Sequence, residues 1–104
     1  PIWKGSPTFG QHIAVELTEK NKNQLLVPRG FAHGFVVLSE EAVLAYKVDN
    51  YYSLECDRGI AFDDKQLSIE WQLKINELKL SKKDMTQPLF KSVKYFDNSI
   101  NLYE

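Results

Sequence analysis

Only one cysteine, Cys56, occurs in the 104 residues. That excludes an internal disulfide and any zinc site built from several thiolates. No apolar run approaches the ~20 residues that a membrane-spanning helix requires. There is no basic-then-apolar leader either, so the expectation is a soluble, cytoplasmic chain. An excess of one charge sign is also missing: 13 Lys and Arg face 14 Asp and Glu, a formal net charge of −1. With that balance there is no general pull toward nucleic acid or a membrane surface. No phosphate-loop glycine pattern and no nucleophile elbow is present. What is there is globular in kind, 43% hydrophobic and 26% charged residues, which argues against disorder. A chain of this length builds one core, so residues 1–104 read as a single domain. Pro1 runs directly into Ile2-Trp3, a strand already in progress, and the expectation is a piece of a longer chain.

The dominant hydrophobic period is two. Ile13, Val15 and Leu17 alternate with His12, Ala14 and Glu16, the pattern of a half-buried strand. Before them, Lys4 to Gly10 is a turn, with two glycines and Pro7; after them, Thr18 to Asn23 is a polar connection. Gln24 to Val27 is a short strand that stops at Pro28, whose missing N–H ends a ladder. Arg29-Gly30 is a tight turn. Phe31–Leu38 and Ala42–Val48 then form a hairpin around the polar tip Ser39-Glu40-Glu41. Leu67, Ile69, Trp71, Leu73 and Ile75 alternate strictly and predict one more strand. Ser81 precedes Asp84 by three residues, an acidic capping box, and Leu89, Val93 and Phe96 follow at helical spacing. The expected class is all-β, a barrel or sandwich with a short C-terminal helix.

Few side chains are candidates for chemistry. His12 faces away from Ile13 and Val15 and reads as a surface or interface residue. His33 shares its strand face with Phe31 and Phe35, so on a buried face it needs either a core partner or a ligand. Tyr46 shares a face with Leu44 and Val48 and reads as a core tyrosine with a tied hydroxyl or as a site residue. The two oppose one another only if the hairpin loop has an even number of residues; a three-residue loop puts them on opposite faces unless a bulge intervenes. Pro28-x-Gly30-x-x-His33 matches half of a metal-binding cupin pattern, but Val37 stands where that pattern has Asn, and its His-x-His half is missing. One imidazole does not hold a transition metal, and no metal is expected. Asp63-Asp64 reads as a turn, and Lys82-Lys83-Asp84 as a solvated helix start that can also meet a diphosphate.

An ordered series of motifs carries a resemblance. Lys4-Gly5-Ser6-Pro7-Thr8-Phe9-Gly10, Val27-Pro28-Arg29-Gly30-Phe31-Ala32-His33-Gly34-Phe35, Tyr46-Lys47, Tyr51-Tyr52-Ser53, Arg58-Gly59-Ile60, Ile69-Glu70-Trp71 and Leu80-Ser81-Lys82-Lys83-Asp84 follow in the order of the dTDP-4-dehydrorhamnose 3,5-epimerases. The chain resembles that family up to about Leu89. The resemblance implies a cupin-type jelly-roll barrel, truncated at its N-terminal side, and a homodimer without cofactor. It implies inversion of C3 and C5 of a dTDP-linked 4-keto-6-deoxy sugar, on the route to dTDP-L-rhamnose and cell-surface polysaccharide. A base takes the proton beside the ketone, cations hold the enolate, and an acid returns a proton on the other face. Carried over motif by motif, Tyr46 is the proton donor and Asp84 orients the base. His33 contacts the sugar, Tyr52 stacks on thymine and Lys83 contacts the nucleotide. Asp57 stands where the family usually has a Glu near the nucleotide. The family's base His, a nearby Arg and an enolate-stabilising Lys precede the Gly-Ser-Pro-Thr-Phe-Gly turn, so the resemblance implies that residues 1–104 carry the acid without the base. The alternatives are a non-catalytic nucleotide-sugar-binding cupin module and a related sugar ketoisomerase.

Overall fold

Phe9 is distant in sequence from Phe90 and Tyr95, yet the fold is built around their meeting. The computed structural model describes residues 1–96 and 101–103. In it the Phe9 ring lies 5.2 Å from Phe90 and 4.9 Å from Tyr95, the latter edge-to-face, and Phe90 and Tyr95 are 5.2 Å apart. These offset and edge arrangements suit the ring quadrupoles better than a face-to-face stack. Gly10 makes the approach workable: its φ is +80°, and a Cβ there would stand 3.0 Å from Phe90 Cζ. The turn leading to it forms as its composition predicts. Ser6 N–H donates to Trp3 O at 3.0 Å, Phe9 N–H to Ser6 O at 3.2 Å and Gln11 N–H to Thr8 O at 2.9 Å.

Asp64 ties the centre of the chain to this cluster. The Asp63-Asp64 pair forms the expected turn: Asp64 Oδ1 accepts from Gln66 N–H at 2.9 Å and Leu67 N–H at 3.0 Å. Its second oxygen accepts from Phe90 N–H at 2.8 Å, although Asp64 is only 5% exposed. A buried carboxylate is tolerated where backbone donors replace water, as here. Ala61 N–H donates to Pro88 O at 2.8 Å, adding a second tie between the same two segments. At the chain ends, Trp3 and Phe96 form a single parallel bridge, and Ile2 N–H donates to Gly30 O at 2.8 Å. Arg29 clamps the Pro28–Gly30 turn, with Nε and Nη2 both on Asp49 Oδ2, at 2.8 and 2.6 Å, and Nη1 on Leu102 O at 2.8 Å.

Secondary structure departs from the sequence pattern in a specific way. Among the described residues, backbone pairing is limited to the Trp3–Phe96 bridge, and none of the expected strands forms a ladder. The side-chain alternation of 67–73 is nonetheless present: Leu67, Ile69, Trp71 and Leu73 are half-buried while Ser68, Glu70, Gln72 and Lys74 are exposed. Ser68 and Gln72 lie at φ 50° and 64°, and such left-handed residues interrupt a pleated ladder. Ile75 leaves the pattern by starting a 3-10 turn, Ile75–Glu77. Ser39 and Glu40 bend as the expected tip, with Ser39 Oγ donating to Glu41 O at 2.6 Å.

Helix α1, Lys82–Met85, is capped as expected by Ser81, whose Oγ accepts from Asp84 N–H at 3.1 Å. The helical continuation through Leu89, Val93 and Phe96 is corrected. Pro88 disfavours helix at the residue before it, and only a 3-10 turn, Phe90–Ser92, follows.

The core is small. Ala61 and Phe90 are the buried apolar residues among those described, while Val43 is 97% and Leu26 86% exposed. The radius of gyration, 14.8 Å, exceeds the ~13 Å of a closely packed chain of this length. Phe90→Ala is expected to cost about 3 kcal/mol, read as a shifted midpoint in chemical denaturation. The Phe90 N–H foremost, then those of Leu67 and Gln66, hold the Asp64 carboxyl below its ordinary pKa. Its contribution is therefore full above the ordinary carboxylate range and lost as pH falls through the depressed folded value. Asp64→Asn should flatten the acid limb of the unfolding profile and lower Tm by about 5 °C or more.

Candidate functional site

Two side chains from separate parts of the chain converge on one carboxylate, that of Asp57. The 3-10 turn Leu54–Cys56 reverses the backbone so that Tyr52 and Asp57 face each other, and the Tyr52 hydroxyl donates to Asp57 Oδ2 at 3.1 Å. Helix α1 brings Lys83, whose Nζ donates to the same oxygen in a short ion pair. Arg58 braces the loop, its Nη1 donating to Glu55 O at 2.7 Å and Asp57 O at 2.9 Å. Tyr52, Asp57 and Lys83 are thus brought together.

The electrostatics follow from that geometry. Lys83 beside it, more than any other group, holds Asp57 below the usual carboxylate range. Hydrogen bonding to Asp57 pushes both Lys83 and the Tyr52 phenol above their ordinary values. The cluster is exposed to water, so the pair organises the loop more than it stabilises the fold. Its chemical capacity is recognition: a phenol ring with its hydroxyl anchored, and an ammonium beside a loop cation, Arg58. Beside it opens a cleft of about 240 Å³, with Asp57, Gly59, Gln87, Pro88, Val93 and Lys94 in its lining.

The remaining expected site residues are placed differently. His33 is exposed, and Phe35 beside it is 62% exposed, which corrects the expectation of an imidazole on a buried face. Tyr46 is 76% exposed, which corrects the expectation of an apolar strand face around it. Without a ladder between 31–38 and 42–48, no packed sheet covers either ring. Among the described residues neither His33 nor Tyr46 makes a side-chain hydrogen bond. Asp84 lies exposed in the first turn of α1, its backbone N–H on Ser81. His12 is exposed, as read from its position. No group of three or more metal-ligating side chains occurs among the described residues. No helix among them is long and apolar enough to cross a membrane. The sequence reading missed Gln87 and the structural part of Asp64. An amide between Thr86 and Pro88 carries no motif, and the one distant Asp64 partner lies 26 residues away at Phe90.

Comparison with known proteins gives a consistent picture. A family model described as dTDP-4-dehydrorhamnose 3,5-epimerase matches residues 2–92. The chain is 50% identical over 95 residues to the dTDP-4-dehydrorhamnose 3,5-epimerase of Shigella flexneri, covering 91% of this chain and 51% of that protein. It is 49% identical over 89 residues to the Salmonella typhimurium protein of the same name, covering 85% and 48%. Against the Mycobacterium tuberculosis protein of that name the identity is 31% over 94 residues, covering 89% and 46%. The chain therefore spans about half the length of these curated relatives. No solved structure matches it.

Asp57→Asn should return the Tyr52 phenol and the Lys83 ammonium toward their ordinary pKa values, with little change in unfolding midpoint. Side-chain NMR titration reads both. In the parent the Asp57 contribution is present above the ordinary carboxylate pKa and lost as pH falls through its lowered value. The Lys83 contribution is present below the ordinary ammonium pKa and lost as pH rises through its raised value.

Proposed function

The chain belongs to the dTDP-4-dehydrorhamnose 3,5-epimerase family, and from this we propose that it supplies the nucleotide-sugar-holding part of such an epimerase. One observation carries the reading. Tyr52 and Lys83, both expected at the nucleotide, reach the same oxygen of Asp57, the third residue expected there. A phenol fixed by its hydroxyl offers a flat apolar face to a pyrimidine, and Lys83 offers charge to a diphosphate.

In this reading the substrate is a dTDP-linked 4-keto-6-deoxy sugar, and the reaction is isomerisation at C3 and C5 without redox change. Removal of the proton beside the C4 ketone leaves an enolate, and Tyr46 returns a proton to the opposite face. Its exposed hydroxyl is free of an internal partner among the described residues, which suits a group that must meet substrate. His33 contacts the hexose, and Asp84 orients the base. A cupin-type jelly roll remains the proposed architecture. The exposed apolar residues at 13–17, 25–26, 31–38 and 43–48 support it, because a ladder on each segment would turn those faces inward. Pairing with a second copy is the proposed cover for edges that stay open. A non-catalytic nucleotide-sugar-binding module is the second reading; it is favoured by a Tyr52–Asp57–Lys83 cluster that is assembled while Tyr46 faces solvent.

Two measurements decide. Solvent deuterium should enter C3 and C5 of the 4-keto sugar with an upstream-extended form of the chain and not with residues 1–104 alone. Tyr46→Phe in the extended form should lower epimerisation about 100-fold or more, the scale of a lost general acid. Unchanged turnover would remove Tyr46 from the acid role, and dTDP-sugar binding without exchange in either form would favour the binding module. In sedimentation velocity the chain should self-associate; a monomer at every concentration would argue against the paired edges.

A further inference from the structure

The cleft beside Asp57 is smaller than the ~300–1,000 Å³ that encloses a whole drug-sized ligand, so its about 240 Å³ suits one ring or one charged group. Charge alone does not choose between these, since Asp57, Arg58 and Lys94 all line the cleft and Arg58 Nη1 is already spent on two backbone carbonyls. Pro88 and Val93 offer apolar faces, and Gln87 brings a carboxamide. That carboxamide is laid against the backbone of Gly59. A Cβ built on Gly59 would stand 2.5 Å from Gln87 Cδ, 2.6 Å from Nε2 and 2.8 Å from Oε1. The φ of Gly59 is not in the left-handed region, so space alone, not backbone strain, opposes a side chain there. Among the described residues the Gln87 carboxamide makes no hydrogen bond, although the residue is half-buried.

We propose that Gln87 is a specificity-determining residue that reads the imide edge of the thymine base. A carboxamide presents one donor and one acceptor side by side. Thymine presents the matching pair, a ring N–H and an adjacent carbonyl, so two parallel hydrogen bonds form. Seated on Gly59, the amide is fixed before the base arrives and loses little freedom on binding. Tyr52 is tied to Asp57, a residue of the cleft lining, and in this reading it supplies the stacking face. The inference depends on the nucleotide-sugar reading above and names the contact that selects its base.

Calorimetric titration of the 104-residue chain with thymidine diphosphate and with its N3-methyl analogue tests this. The parent should bind the unmethylated nucleotide about tenfold or more tightly, the scale of one lost hydrogen bond in a partly dry site. Gln87→Leu should bring the two affinities together, whereas Gln87→Glu, which keeps the acceptor for the ring N–H, should retain the preference while weakening binding of both. Gly59→Ala, which displaces the carboxamide without altering it, should also reduce the preference and serves as the second route should a Gln87 variant fold poorly. A full preference retained in folded Gln87→Leu or Gly59→Ala overturns the assignment of Gln87 and leaves the nucleotide-sugar reading standing. Equal binding of both nucleotides by the parent overturns the assignment as well. No binding of thymidine diphosphate by the parent overturns both.

Discussion

The arrangement depends on the carboxylate of Asp64. It is buried, it accepts three backbone N–H groups, and one of them belongs to Phe90 in a distant segment. A backbone donor has no freedom to follow a drifting partner as a long side chain would. This contact therefore sets where Phe90 stands, and Phe90 sets where Phe9 and Tyr95 stack. The Ala61–Pro88 hydrogen bond runs beside it, so the 57–61 stretch lies against the 87–88 stretch. Both walls of the cleft, Asp57 to Gly59 on one side and Gln87 to Pro88 on the other, follow from that juxtaposition.

The site inherits its character from the same constraint. Asp57 organises two donors that would otherwise be independent surface groups, and it does so in water, where an ion pair adds little to stability. What the arrangement provides is preorganisation, with a ring and a cation held on one oxygen. The contrast with 11–52 is instructive. There, apolar side chains such as Ile13, Phe35 and Val43 face solvent, and the two rings expected to meet the sugar stand exposed with them. Burial of a strand face needs a second layer, and within the described residues none is packed upon it.

How much was legible in the sequence differs by the range of the interaction. Turns were readable because their causes are local: the glycines of 4–10, the polar run at 18–23 with its Thr18–Asn21 hydrogen bonds, and the Asp63-Asp64 turn all formed as read. Ser81 capped α1 for the same reason. The alternation at 67–73 survived as burial without a ladder, because apolar residues seek cover even where Ser68 and Gln72 break the pleat. The helical spacing after Leu89 misled: Pro88 keeps α1 from running on into it, and only the 3-10 turn Phe90–Ser92 forms beyond. Tyr52, Asp57 and Lys83 were named together through resemblance to a family, and the structure then put Tyr52 and Lys83 on one oxygen of Asp57.

The amino-acid sequence by itself determined the turns, the cap, the charge balance, the lack of a disulfide and the family, since each is carried by neighbouring residues or by motif order. Only the tertiary structure decided that Asp64 holds Phe90, that Tyr52 and Lys83 share Asp57, and that Gln87 lies on Gly59. Apart from the Tyr52–Asp57 bond, which spans five positions, those contacts join groups 26 to 28 positions apart, and no local preference of either partner encodes the other. The first of them exists because burying Phe90 leaves its backbone N–H in need of an acceptor, and the Asp64 carboxylate is in place to serve it.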